Sequence, residues 1–104
     1  MQQTFQESMS EWTKKLNLEK QALENQIKER EKAVELAKTK LEIAQAALNK
    51  IDKQDHANFR DLHVKPYKEE YDQAMKELTR VKDSHKTKIH YLNVLIQEAN
   101  TYTS

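Results

Sequence analysis

Asp52, Asp55, His56, Asp61 and His63 put five oxygen and nitrogen donors within twelve residues, beside the single proline, Pro66. Such side chains could hold a divalent metal ion or trade protons. A catalytic zinc site, however, uses spacings such as His-Glu-x-x-His, which put two ligands on one helix face. No pair here forms that motif, since the two histidines are seven residues apart, and the chain has no cysteine. Asp, Asn, His and Pro are also ordinary turn residues. The stretch is therefore expected to be a solvated turn, with no metal-ligating residue.

Other reactive groups are as weakly organised. His85 falls on an apolar helical stripe, where it suits a register-setting or partly wet seam position; His90 lies off it. Seventeen acidic residues guarantee carboxylates three or four apart, which suit a solvated face. There is no glycine-rich phosphate loop and no nucleophile elbow. No catalytic residue, cofactor-binding residue, cofactor or small-molecule substrate is expected. Residues 79–90 hold Arg80, Lys82, Lys86 and Lys88 against Asp83, a local charge of +3. These four are the candidate nucleic-acid contacts. Against that role, Val81 and Ile89 tie the stretch to an apolar seam, and no aromatic residues alternate with the cations.

The elements that must carry these groups follow from composition. The 104 residues include no glycine and one proline; 34% are charged and 37% hydrophobic, and the net charge is +1. Without glycine, the tight turns of a sheet protein are hard to make. So few apolar residues cannot fill a thick core, but they can fill seams between long helices. The near-zero net charge creates no general attraction to nucleic acid or to an anionic membrane. The longest run of large apolar residues is Val94-Leu95-Ile96, so no membrane insertion is expected. The first residues lack the basic start and apolar run of a signal peptide. A soluble, cytoplasmic protein is expected, with leaderless export as the alternative.

Two helices are predicted within one hairpin domain spanning residues 1–104. Helix one covers about 4–52. Its start fits a capping box at either Thr4-Phe5-Gln6-Glu7 or Ser8-Met9-Ser10-Glu11. Its stripe runs Phe5, Met9, Trp12, Leu16, Leu23, Ile27, Val34, Ala37, Leu41, Ala44, Leu48 and Ile51. The steps suggest a phase shift between Leu16 and Ile27, with Lys20 and Arg30 in the gaps, their charges reaching outward. A tip over about 53–65 follows, in which Asp55 can cap a short turn while Phe59 and Leu62 cover the seam ends. Helix two covers about 66–100, with Tyr67, Tyr71, Ala74, Leu78, Val81, His85, Ile89, Leu92, Ile96 and Ala99 as its stripe. The terminal Asn-Thr-Tyr-Thr-Ser should fray.

Two faces look outward. A tip near residue 59 would leave residues 1–14 without an intramolecular neighbour, exposing Phe5, Met9 and Trp12. Leu36 and Ile43 stand a heptad apart and off the stripe, near Ala33, Ala46 and Ala47. These two sets are the candidate partner-binding residues.

In length and predicted topology the chain resembles the small secretion-linked helical hairpins of the ESAT-like, WXG type. Their Trp-x-Gly turn is missing: Trp12 lies within helix one and there is no glycine. By shape it also resembles stalk or chaperone hairpins of export machines. Neither resemblance transfers a residue role. The fold class expected is all-α: an antiparallel helical hairpin with coiled-coil packing that associates into a larger bundle. The function expected is non-enzymatic binding of another protein or a second copy, as an adaptor, chaperone or assembly subunit. The alternatives are a nucleic-acid-associated helical protein using residues 79–90, and a small hairpin partner of a secretion system.

Overall fold

A computed structural model describes residues 4–103. Helix α1 spans Phe5–Leu48, a short helical turn α2 spans His56–Phe59, and helix α3 spans Lys65–Thr103. There is no strand among the described residues. The chain is a helical hairpin.

Of the two capping boxes, Thr4 supplies the cap. Its Oγ1 accepts the Glu7 backbone N–H at 3.1 Å, and its carbonyl accepts the Ser8 N–H at 3.0 Å. A hydroxyl thus satisfies one of the donors that a helix start leaves open.

The reversal lies earlier than predicted. The end of α1 tightens: the N–H groups of Asn49, Lys50 and Ile51 bond the carbonyls of Ala46, Ala47 and Leu48, each three residues back. Asp52 then takes an extended conformation (φ −58°, ψ 141°) before a tight 3-10 turn over Lys53–Asp55. The His56 ring Nε2 lies 2.8 Å from the Ile51 carbonyl. A carbonyl can only accept, so this nitrogen carries the proton and His56 ties the bend together. No described residue has positive φ. One extended residue between two tightened turns reverses a chain that contains no glycine.

Residues 53–65, expected to be an irregular tip, are helical throughout, and Asp55 makes no side-chain capping bond. Leu62, expected to cover the seam end, is exposed; Phe59 is half-buried. The signal that misled was Pro66, which lies inside helical structure. It has no N–H to give the carbonyl of Leu62, and in a regular helix its ring would crowd that carbonyl. The chain meets this with a wider π turn over Arg60–Val64, in which the Lys65 N–H reaches the Arg60 carbonyl five residues back. At the other end Asn100–Thr103 continues the helix instead of fraying.

By compactness the chain falls into two units: residues 1–27 with 82–104, and residues 28–81. They are called the terminal unit and the turn unit below.

In the terminal unit Leu16, Leu92 and Ala99 are buried. Met9, Thr13, Lys20, Leu23 and Ile27 of α1, and His85, Ile89 and Ile96 of α3, are half-buried around them. The inward positions of α1 step regularly by 4, 3, 4, 3 and 4 from Met9 to Ile27. The predicted phase shift is absent, because Thr13 takes the place assigned to Trp12 and Lys20 fills the gap. A threonine suits this seam because its Oγ1 donates to the Met9 carbonyl at 2.9 Å, which leaves its methyl to pack. Lys20 sends its ammonium out to Glu24, 3.7 Å away.

In the turn unit Ala37, Ala44, Leu78 and Val81 are buried. Val34, Leu41 and Leu48 of α1 and Tyr67, Tyr71 and Ala74 of α3 are half-buried around them. The alanines present almost no side chain at the seam, so the helices can approach closely there. Every predicted stripe position of α3, from Tyr67 to Ala99, is buried or half-buried.

Candidate functional site

The groups that could have done chemistry are dispersed or already engaged. His56 is spent on the Ile51 carbonyl, and the His63 ring packs against Phe59 at a centroid distance of 5.0 Å. Among the described residues, no three His, Asp or Glu side chains gather closely enough to hold a metal ion.

The four cations of the basic stretch differ in their surroundings. Arg80 is bound to Glu77 through two hydrogen bonds, Nε at 3.0 Å and Nη2 at 2.6 Å. Its guanidinium holds the Glu77 carboxyl below the usual carboxylate range, chiefly through those bonds, with help from the charge of Arg30 at 3.6 Å. Lys88 lines an apolar groove beside Tyr91, while Lys82 and Lys86 are exposed.

In the turn unit, ion pairs bridge the two helices along one flank: Arg30 to Glu77, and Lys40 to Glu70 at 3.0 Å. Exposed pairs of this kind contribute little to stability, because solvent screens them. They cover the flank with charge and define its polar edge. Leu36 and Ile43 project from α1 and are well exposed, as expected. Ile43 also lines a shallow groove with Ala47, Phe59, His63 and Tyr67.

The terminal unit is built otherwise. A side-chain hydrogen bond between its helices links His85 Nε2 to Gln26 Oε1 at 2.6 Å; the other ring nitrogen of His85 is buried without a partner. Large exposed apolar side chains share this unit's flank with charged ones. Phe5 is 75% exposed, Trp12 42%, Tyr91 62%, Leu95 44% and Tyr102 82%. Helical spacing puts Phe5 and Trp12, one heptad apart, on one side of α1's inward stripe. Leu95 and Tyr102, also a heptad apart, sit similarly on α3, with Tyr91 four residues before Leu95. Ala22 and Leu23 of α1 share a groove of about 480 Å³ with Tyr91 and Leu92 of α3, edged by Glu19 and Lys88. A second groove takes Gln6, Met9, Ser10, Thr13 and Lys14 from α1 and Asn100 and Thr103 from α3.

The second groove corrects the predicted register. With the reversal at residues 49–52, α3 reaches back beside residues 6–14, so those residues are not left without a neighbour. Met9 accordingly is half-buried on the inward stripe, whereas Phe5 and Trp12 remain on the outer flank. Tyr91, Leu95 and Tyr102 were missed as candidates. Their helical spacing was visible, but only the register shows them on the same unit as Phe5 and Trp12.

Among the described residues no helix is long and apolar enough to cross a membrane. Comparison of the chain with protein-family models, with curated proteins and with solved structures yields no match.

Proposed function

We propose that this chain is a non-enzymatic protein-interaction module, an adaptor, chaperone or assembly subunit, that joins a larger helical bundle by coiled-coil-like packing. One observation carries the reading. The terminal unit holds four of the chain's seven aromatic residues (Phe5, Trp12, Tyr91 and Tyr102), and all four are exposed. Large aromatic side chains stabilise a fold only when water is removed from them. Displayed together on helix flanks they suit grooves between another chain's helices. Leu36 and Ile43, exposed on the turn unit, are the second proposed contact. The paired state of Arg80 weighs against the nucleic-acid reading, and the cytoplasm is the proposed setting.

The test is co-isolation from the native host with wild type and with Trp12→Ser/Leu36→Glu/Ile43→Glu. The reading predicts a stoichiometric protein companion, another chain or a second copy, that the variant loses while its helical circular dichroism is kept. Identical, companion-free preparations of both would refute it.

A further inference from the structure

We infer that the occupant of the terminal unit's aromatic flank is a second copy of this chain, docked flank to flank about a two-fold axis. This rests on the interaction reading above and names the partner. Two observations support it.

The first is area. A buried aromatic side chain removes roughly 150–250 Å² from water. At the exposures of Phe5, Trp12, Tyr91 and Tyr102, with Leu95 added, the flank offers on the order of 600 Å² of side-chain surface. That is the upper end of what ordinary monomers display, about 300–600 Å². Two such flanks pressed together bury about 1,200 Å², the lower edge of stable, specific interfaces.

The second is charge. The same flank carries Lys15 and Glu19 on α1, and Lys88 and Glu98 on α3, all exposed. Two acids against two bases make the flank neutral. A two-fold contact pairs each patch with its own copy, so a residue i that meets j is matched by j meeting i. A neutral patch of mixed sign can place lysines over acids in that arrangement, whereas a patch of one sign would repel itself. The chain's net charge of +1 adds almost no long-range repulsion between copies.

The experiment is sedimentation equilibrium of the full chain from 5 to 500 µM, for wild type, Trp12→Glu/Tyr91→Glu and Phe5→Glu/Tyr102→Glu. The second variant alters the two most exposed residues of the flank, which cannot be needed to hold the helices together. The inference predicts that wild type moves from 12.3 kDa towards twice that mass within the range. Both variants should remain at the single-chain mass, with association weakened at least tenfold and helicity kept. If Trp12→Glu/Tyr91→Glu loses its helicity, Phe5→Glu/Tyr102→Glu alone decides. Wild type that stays at single-chain mass at 500 µM overturns the inference. So does a dimer that survives the substitutions, which would put the contact elsewhere. A single-chain wild type that nonetheless captures a different protein, sensitive to these substitutions, would overturn the second copy but leave the interaction reading standing. Failure in both assays removes both.

Discussion

The terminal unit and the turn unit use the same two helices differently. In the turn unit the three aromatics, Phe59, Tyr67 and Tyr71, are half-buried. Ala37 and Ala44 are buried there, and ion pairs close one flank. In the terminal unit all four aromatics are exposed, a hydrogen bond joins Gln26 to His85, and the flank mixes large apolar side chains with charged ones. Both units have heptad-spaced inward stripes, so stripe periodicity does not separate them. What separates them is which residues occupy the positions just outside the stripe. Ion-paired residues line that position in the turn unit; exposed aromatic residues stand there in the terminal unit.

The contrast is most exposed to substitutions inside the seams and on the flanks. Leu78→Ala, in the turn unit, removes a buried side chain and should cost about 2–4 kcal/mol in urea unfolding. Leu95→Ala removes the same atoms from a half-exposed flank and should cost well under about 1 kcal/mol in the isolated chain. If both cost the same, Leu95 is core and the contrast is false.

Next comes the bond between Gln26 and His85. Gln26→Leu strips the one partner seen for His85, whose other nitrogen is already unsatisfied, and should cost about 1–2 kcal/mol. Adding His85→Leu should recover most of that loss, because an apolar pair leaves nothing unpaired. A double-mutant cycle by thermal unfolding reads it; no recovery would mean that His85 is solvated there.

Thr4→Ala removes the cap of α1 and should cost about 0.5–1 kcal/mol, fraying the turn that carries Phe5. Hydrogen exchange at residues 5–8 would report the change, with the turn unit unaffected.

The smallest effect belongs to the turn unit's charges. The folded state holds Glu77 below its ordinary carboxylate pKa, so unfolding takes up protons as pH falls. The stabilisation is present above the ordinary carboxylate range and is lost as pH drops through the folded pKa. Glu77→Gln should abolish this part of the acid dependence. The change in thermal midpoint at neutral pH should be only slight, since the pair is exposed to solvent.

How much of this the residues announced differs by element. The stripe of α3 was legible throughout because apolar residues occupy nearly all its inward positions. The stripe of α1 was legible from Leu16 onward. Before it, Phe5 and Trp12 imitated the seam by being hydrophobic, while the true seam residue was Thr13. A threonine whose hydroxyl is bonded to its own helix reads as polar in sequence and packs as apolar. The turn was misplaced for a related reason. Pro66 and the Asp and His residues around it are the strongest breakers in the chain, yet a π turn absorbs the proline. The actual reversal uses Asn49, Lys50, Ile51 and Asp52, with little to mark it except Asn and Asp. Placing the turn near residue 59 then shifted the arms against each other. That hid the contribution of Tyr91, Leu95 and Tyr102 to the flank.

Trp12 is the only tryptophan and stands on that flank, so its fluorescence measures the central claim directly. Between 5 and 500 µM its emission should shift to the blue and its quenching by acrylamide should fall, as a second copy takes the place of water. Emission and quenching that stay constant and water-like over the whole range would contradict the account.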